Sequence, residues 1–131
     1  IIGIGVDIVS NERIKKSIKN KQFISRIFSE KEIRHSTKVN NKINYFSKRF
    51  AAKESLSKAI GTGFRNGLNF NDISIINDKY GKPYYELNSY VKKAIFNSYR
   101  VKKFKISLSL ADEKKYSIAF SVIQKWLVKS R

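Results

Sequence analysis

The chain has 131 residues, with 28 Lys or Arg against 10 Asp or Glu and a formal net charge of +18. This length fits one domain, residues 1–131, and 41% hydrophobic residues suffice to fill its core. The absence of cysteine excludes a disulfide framework, a cysteine-ligated zinc site and a thiol nucleophile, and no apolar run approaches the roughly 20 residues that span a bilayer.

Residues 1–9 form a continuous β-branched run that predicts a buried strand. They lack the basic start and long apolar stretch of a secretory signal, so the expectation is a soluble, cytoplasmic protein without membrane insertion. Ser10 or Asn11 caps a helix that runs to about residue 19, with Ile14 and Ile18 on its apolar face and Arg13, Lys15, Lys16 and Lys19 around the rest. A short apolar stretch, 23–28, leads to Ser29 and Glu32, whose spacing is that of a capping box opening another helix. Residues 36–43 read as a loop or weak helix.

A longer helix is predicted over 44–60, ending at the glycine C-cap Gly61. A glycine-rich loop follows over 61–67, then a strand over 72–76, turns at Asn77-Asp78 and Gly81-Lys82-Pro83, and a partner strand over 84–87. Residues 89–100 suit a helix carrying Val91, Ile95 and Tyr99 at four-residue spacing. Apolar residues alternate through 104–110, residues 111–115 make a hairpin connection, and 116–126 is the closing strand. Helices flanked by strands in this mixed order predict an α+β fold: a small antiparallel sheet packed against a long central helix and shorter helices.

Two acids stand out in so basic a chain. Asp7 lies within the apolar first strand, and Glu54 at the edge of the apolar arc that Phe46, Phe50, Leu56 and Ile60 form on the central helix. Lys53 falls inside that arc, where an ammonium needs an anionic partner. Glu54 and Lys58, four residues apart, are placed for a helical ion pair. Asp7 is placed to cap the amides of Ser10 or Asn11, or to bind a divalent metal together with Glu54. Gly3-x-Gly5 lacks the third glycine of a dinucleotide-binding turn and lies inside the strand, which points to close backbone approach. The loop at Gly61, Thr62 and Gly63 follows its helix, so it is no phosphate loop of the usual kind. His35 reads as a surface residue and Trp126 as a packing residue. The net charge attracts polyanions: nucleic acid, an anionic membrane, an acidic protein or a nucleotide-like cofactor.

In this order, Gly3-Ile4-Gly5-Val6-Asp7-Ile8, the run from Lys48 through Phe50, Lys53, Glu54 and Lys58 to Gly63, Gly81-Lys82-Pro83 and Ser109-Leu110-Ala111-Asp112-Glu113 resemble the bacterial holo-[acyl-carrier-protein] synthases, a 4′-phosphopantetheinyl transferase family. The resemblance covers nearly the whole chain. It implies transfer of 4′-phosphopantetheine from coenzyme A to a serine of apo-acyl carrier protein, giving 3′,5′-ADP, for fatty acid biosynthesis. It implies a magnesium ion on Asp7 and Glu54, with Lys58 at the transferred phosphate. It further implies a coenzyme A site lined by Arg49, Lys53, Lys58, Gly61, Thr62, Gly63, Lys82 and Pro83. The basic residues Arg13, Lys16, Lys21 and Arg26 become the docking face for the acidic carrier protein, and the assembly becomes a homotrimer with sites between subunits. A metal-bound water or a carboxylate takes the serine proton. Ser107 and Asp112 stand where many relatives have histidine. The alternative expectation, from charge alone, is a nucleic-acid-binding module.

Overall fold

The computed structural model describes residues 1–61 and 69–126. Five helices and five strands follow one another as β1 (Gly3–Ser10), α1 (Asn11–Ser17), α2 (Lys21–Ile27), α3 (Glu30–Ser36), α4 (Lys42–Ile60), β2 (Ile73–Asn77), β3 (Pro83–Leu87), α5 (Ser89–Tyr99), β4 (Phe104–Asp112) and β5 (Tyr116–Lys125). The α+β architecture agrees with the sequence, and the described residues form two antiparallel sheets rather than one. One has the order β1-β5-β4 and the other pairs β2 with β3.

Local chemistry sets the element ends. The Ser10 hydroxyl caps α1 by accepting from the Arg13 amide. The helix stops at Ser17, earlier than expected, because Asn20 caps the next helix through the amides of Gln22 and Phe23. Asn11, fully inside, instead ties α1 to the β4–β5 hairpin. Its amide donates to the carbonyls of Glu113 and Lys114 and accepts from Ser117. The capping box at Ser29 and Glu32 is present in both directions. Asn41 caps α4, and Gly61 ends it in the left-handed region at φ 89°, a conformation glycine adopts without steric cost.

Helix α4 lies at the centre and is buried on more than one side. Tyr45, Phe46 and Phe50 join Phe23, Phe28 and Phe70 in an aromatic cluster under α2 and α3, with Phe28 and Phe46 ring centres 4.6 Å apart. The other side of α4 is small: Ala52, Ser55 and Ala59, all without exposure, face the larger sheet. There β1 presents Gly3 and Gly5. A Cβ at Gly5 would overlap the Ser55 carbonyl oxygen and come within 2.8 Å of the Ala59 nitrogen; one at Gly3 would overlap the Ala59 carbonyl oxygen. Strand and helix thus meet backbone to backbone, as the glycine spacing predicts. A polar seam binds the two sheets to α4 through Tyr85, whose hydroxyl donates to the Ala52 carbonyl at 2.5 Å and meets Ser121 at 2.6 Å.

The first strand departs from its expected burial. Gly5 and Val9 point inward, but Ile4, Val6 and Ile8 are 60%, 54% and 60% exposed. Their cross-strand partners on β5 are Val122, Phe120 and Ile118, so one outer face of the sheet is continuous apolar surface. Trp126, expected to pack, is exposed as well.

Candidate active site

The close β1–α4 contact determines where charged side chains meet. Asp7 shares the inward face of β1 with Gly3 and Gly5, so it projects along the flank of α4. There the Lys58 ammonium donates to Asp7 Oδ1 at 3.1 Å and to the Val6 carbonyl at 3.0 Å. The helical Glu54–Lys58 pair is not among the ion pairs formed; Lys58 turns to the strand instead. Asp7 is not a cap for Ser10 or Asn11. Its side chain is sheltered, at 16% exposure, whereas Lys58 remains 56% exposed. The ammonium therefore keeps donor capacity for an incoming anion.

Glu54 is half-buried beside this pair. Burial raises its pKa above the usual carboxylate value, and the nearby charge of Asp7 raises it further; Lys58 and Arg13 act in the opposite direction. A carboxylate whose charge is disfavoured by burial and by a second carboxylate makes an arrangement that a cation relieves. Among the described residues no group of three or more His, Cys, Asp and Glu side chains gathers. Asp7 and Glu54 thus offer two carboxylates, a donor set that fits magnesium, an ion that takes one or two carboxylates and completes its shell with water and substrate phosphate. Arg13, on α1, is close enough to act on Glu54, and Arg13, Lys16, Lys21 and Arg26 are all exposed.

A second constellation lies on the other flank of α4. Lys48, Arg49, Asn77, Gly81, Lys82, Pro83, Leu108, Ser109, Leu110 and Asp112 line an open pocket of about 360 Å³. Arg49 is 5% exposed, stacks over the Tyr45 ring at 3.7 Å and leaves its Nε without a partner. Burial lowers its pKa, with Tyr45 and Glu32 pulling the other way. A guanidinium and two lysines lining one pocket form a cation set of the kind that can bind a phosphate. Neither Asp7, Glu54 nor Lys58 lines this pocket.

Lys53 has the core position and the anionic partner that its place in the apolar arc calls for, and not a place at the surface of a ligand site. It lies on the core side of α4, and both it and Glu32 are without exposure, 2.7 Å apart. Its ammonium also donates to the carbonyls of Phe70 and Ile73, while Glu32 accepts from the Ser29 and Ile75 amides. Burial lowers the pKa of Lys53 and Glu32 pulls it back. With every donor turned inward, Lys53 is removed from the candidate coenzyme contacts and joins the core as half of a buried ion pair. Thr62 and Gly63 lie outside the described residues; Gly61 is at the surface as the α4 cap. His35 is exposed, as expected. The sequence reading missed the cluster at Asp112, where Asn44 Nδ2 donates to Oδ2 at 2.7 Å and Lys48 lies 3.6 Å from Oδ1. Asp112 is 64 or more positions from the other two in the chain, so no local spacing announces the cluster.

Comparison with known proteins bears on this geometry. The family model of the 4′-phosphopantetheinyl transferase superfamily matches residues 3–121. A holo-[acyl-carrier-protein] synthase of Pelagibacter ubique is 54% identical over 125 residues, covering 95% of this chain and 98% of the relative. That of Clostridium tetani is 44% identical over 126 residues, covering 95% and 96%. Among solved structures, the holo-[acyl-carrier-protein] synthase of Neisseria meningitidis superposes with a TM-score of 0.85 at 37% identity, covering 95% of this chain and 99% of the other. The Bacillus anthracis enzyme, in complex with CoA (3′,5′-ADP), gives 0.80 at 30% identity, covering 96% and 98%.

Proposed function

The chain belongs to the 4′-phosphopantetheinyl transferase superfamily, and from that membership we infer that it transfers the 4′-phosphopantetheine group of coenzyme A to a serine of apo-acyl carrier protein. The observation that carries the reading is the meeting of Asp7, Lys58 and Glu54 across the glycine contact of β1 with α4. In the reaction the serine oxygen attacks the pyrophosphate phosphorus on the pantetheine side. A new P–O bond forms, the bond to the bridging oxygen breaks, 3′,5′-ADP leaves with the electron pair, and the serine proton is released. Lys58, anchored on Asp7 and exposed beyond it, supplies positive charge to the phosphate as its negative charge shifts.

Asp7 and Glu54 would hold magnesium, which when bound neutralises the pyrophosphate and stabilises charge on the departing nucleotide. The pocket of Arg49, Lys48, Lys82 and Pro83 is proposed to take the ribose 3′-phosphate. It shares no lining residue with the carboxylate pair. A cofactor bearing a pyrophosphate and a separate 3′-phosphate suits two such stations, contributed by neighbouring copies. A homotrimer is part of the proposal. Its support is the apolar outer face of Ile4, Val6, Ile8, Ile118 and Phe120, which is larger than scattered surface residues explain. No described helix is long and apolar enough to cross a membrane. A cytoplasmic location and a role in fatty acid biosynthesis belong to the same reading.

The test is direct. After incubation with coenzyme A and magnesium, apo-acyl carrier protein should gain the mass of one phosphopantetheine; an unchanged carrier mass would end the transferase reading. The basic face gives a second expectation. Charge reversal Arg13→Glu should raise KM for the carrier by about tenfold at low salt, roughly 1.4 kcal/mol, and move KM for coenzyme A much less. Added salt should shrink the difference, since exposed charges are screened beyond about 10 Å at 0.1 M. Equal changes in both constants would remove α1 from the docking face.

A further inference from the structure

Asp112 is the one carboxylate in a pocket whose other charged lining residues are Lys48, Arg49 and Lys82. By charge alone it opposes a phosphate. Its contacts indicate another role. Asn44 and Lys48 lie one turn apart on the same face of α4, and both reach the end of β4. The Asn44 amide holds Oδ2 at 2.7 Å, which leaves Oδ1 toward the Lys48 ammonium at 3.6 Å. The lysine and aspartate side chains are 30% and 31% exposed. A free lysine on four rotatable bonds loses considerable rotamer freedom on binding a ligand. A lysine already held by a fixed carboxylate loses less. An ionised aspartate cannot itself donate to a phosphate, so a donor beside it has to come from a neighbour.

Resting on the assignment of this pocket to the 3′-phosphate, we propose that Asp112 is a positioning residue: clamped by Asn44, it holds Lys48 over the pocket and so sets the affinity for the 3′-phosphate of coenzyme A. Calorimetric titration with 3′,5′-ADP and with AMP, which differ only in that phosphate, tests it on the full chain. Asp112→Ala should weaken 3′,5′-ADP binding about three- to fivefold, the range of a partly exposed ion pair, and leave AMP binding as it is. In a Lys48→Ala background the same change should add nothing. Retained AMP binding shows that the variant is folded. Tighter 3′,5′-ADP binding by Asp112→Ala would mean that the carboxylate only repels. An undiminished effect without Lys48 would mean that it acts on something else; either result overturns the proposal. Equal affinity of the unaltered protein for both nucleotides would overturn the pocket assignment, and this proposal with it, while transfer to the carrier stands or falls separately on the carrier's mass.

Discussion

Glu54→Gln should abolish nearly all turnover, about 100-fold or more, the scale seen when a preorganised charge-stabilising group is lost, and should do so without unfolding the protein. The amide keeps the size and shape of the side chain, so the α4 packing around it is retained. What disappears is the carboxylate that faces Asp7 at the site. The readout is the rate of phosphopantetheine transfer at saturating magnesium, beside a thermal melt of the same preparation. Turnover equal to that of the unaltered protein would take Glu54 out of the site altogether.

The melt carries a sign of its own. Burial, and then Asp7, raise the Glu54 pKa in the folded state. The folded protein therefore holds the Glu54 proton more tightly than the unfolded chain does. The associated stability is fully present below the unfolded value and is lost as pH rises through the raised, folded value. At about pH 7 without metal, the ionised side chain opposes folding, so the glutamine variant should melt at or above the temperature of the unaltered protein. That advantage should narrow as the pH falls through the raised pKa. Activity follows the opposite course. If the ionised carboxylate is required, kcat/KM falls on the acid side at a higher pH than an ordinary glutamate would give. A variant less stable at neutral pH than at acid pH, relative to the unaltered protein, would contradict the assigned environment.

How much of this was legible in the sequence depends on whether the signal was local. Glycines two apart in a β-branched run have few uses other than close approach, and Gly3 and Gly5 make that approach to α4. The Ser29–Glu32 spacing gives a cap, and the cap forms. But the cap accounts for only part of Glu32. Its second role, as partner to Lys53, joins residues 21 positions apart through the core, and only the misplaced lysine hinted at it. Lys58 shows how a tertiary contact overrides helical spacing: Glu54 is four residues away, yet the approach of β1 brings Asp7 nearer as partner. Burial of all of β1 does not follow from its sequence, because an apolar run looks the same whether it faces the core or the outside of the sheet. The ordering of motifs along the chain supplied what spacing could not, namely that Asp7 and Glu54 belong together. It did not reveal Asn44, Lys48 and Asp112, whose meeting depends on where β4 ends above α4.

The Gly3 and Gly5 contact makes the fold and the site interdependent, and Gly5→Ala should damage both. The new methyl would coincide with the Ser55 carbonyl oxygen and crowd the Ala59 nitrogen at 2.8 Å and the Ser55 carbonyl carbon at 2.9 Å. All three are backbone atoms of a helix buried at the centre of the molecule, so no rotamer change or side-chain truncation can make room. Either β1 lifts from α4 or the helix is displaced within its aromatic cluster. Overpacking typically costs about 1–3 kcal/mol, and a clash with fixed backbone belongs at the top of that range. For a chain of this size that is a fall in Tm of roughly 10 °C. Gly3→Ala meets the Ala59 carbonyl in the same way, though Tyr99, whose hydroxyl donates to that carbonyl at 2.5 Å, would have to shift too. The activity loss should exceed what the lost stability explains. At a temperature where Gly5→Ala is still folded, lifting β1 carries Asp7 off Lys58 and away from Glu54, so transfer should fall at least tenfold, about 1.4 kcal/mol in the barrier. The control is a cavity elsewhere in the core, such as Ile95→Val on α5, which costs about 0.5–1.5 kcal/mol without touching β1. That variant should lose stability and keep its rate. If Gly5→Ala behaved like it, the glycines would serve packing alone, and the geometry linking Asp7 to α4 would not depend on them.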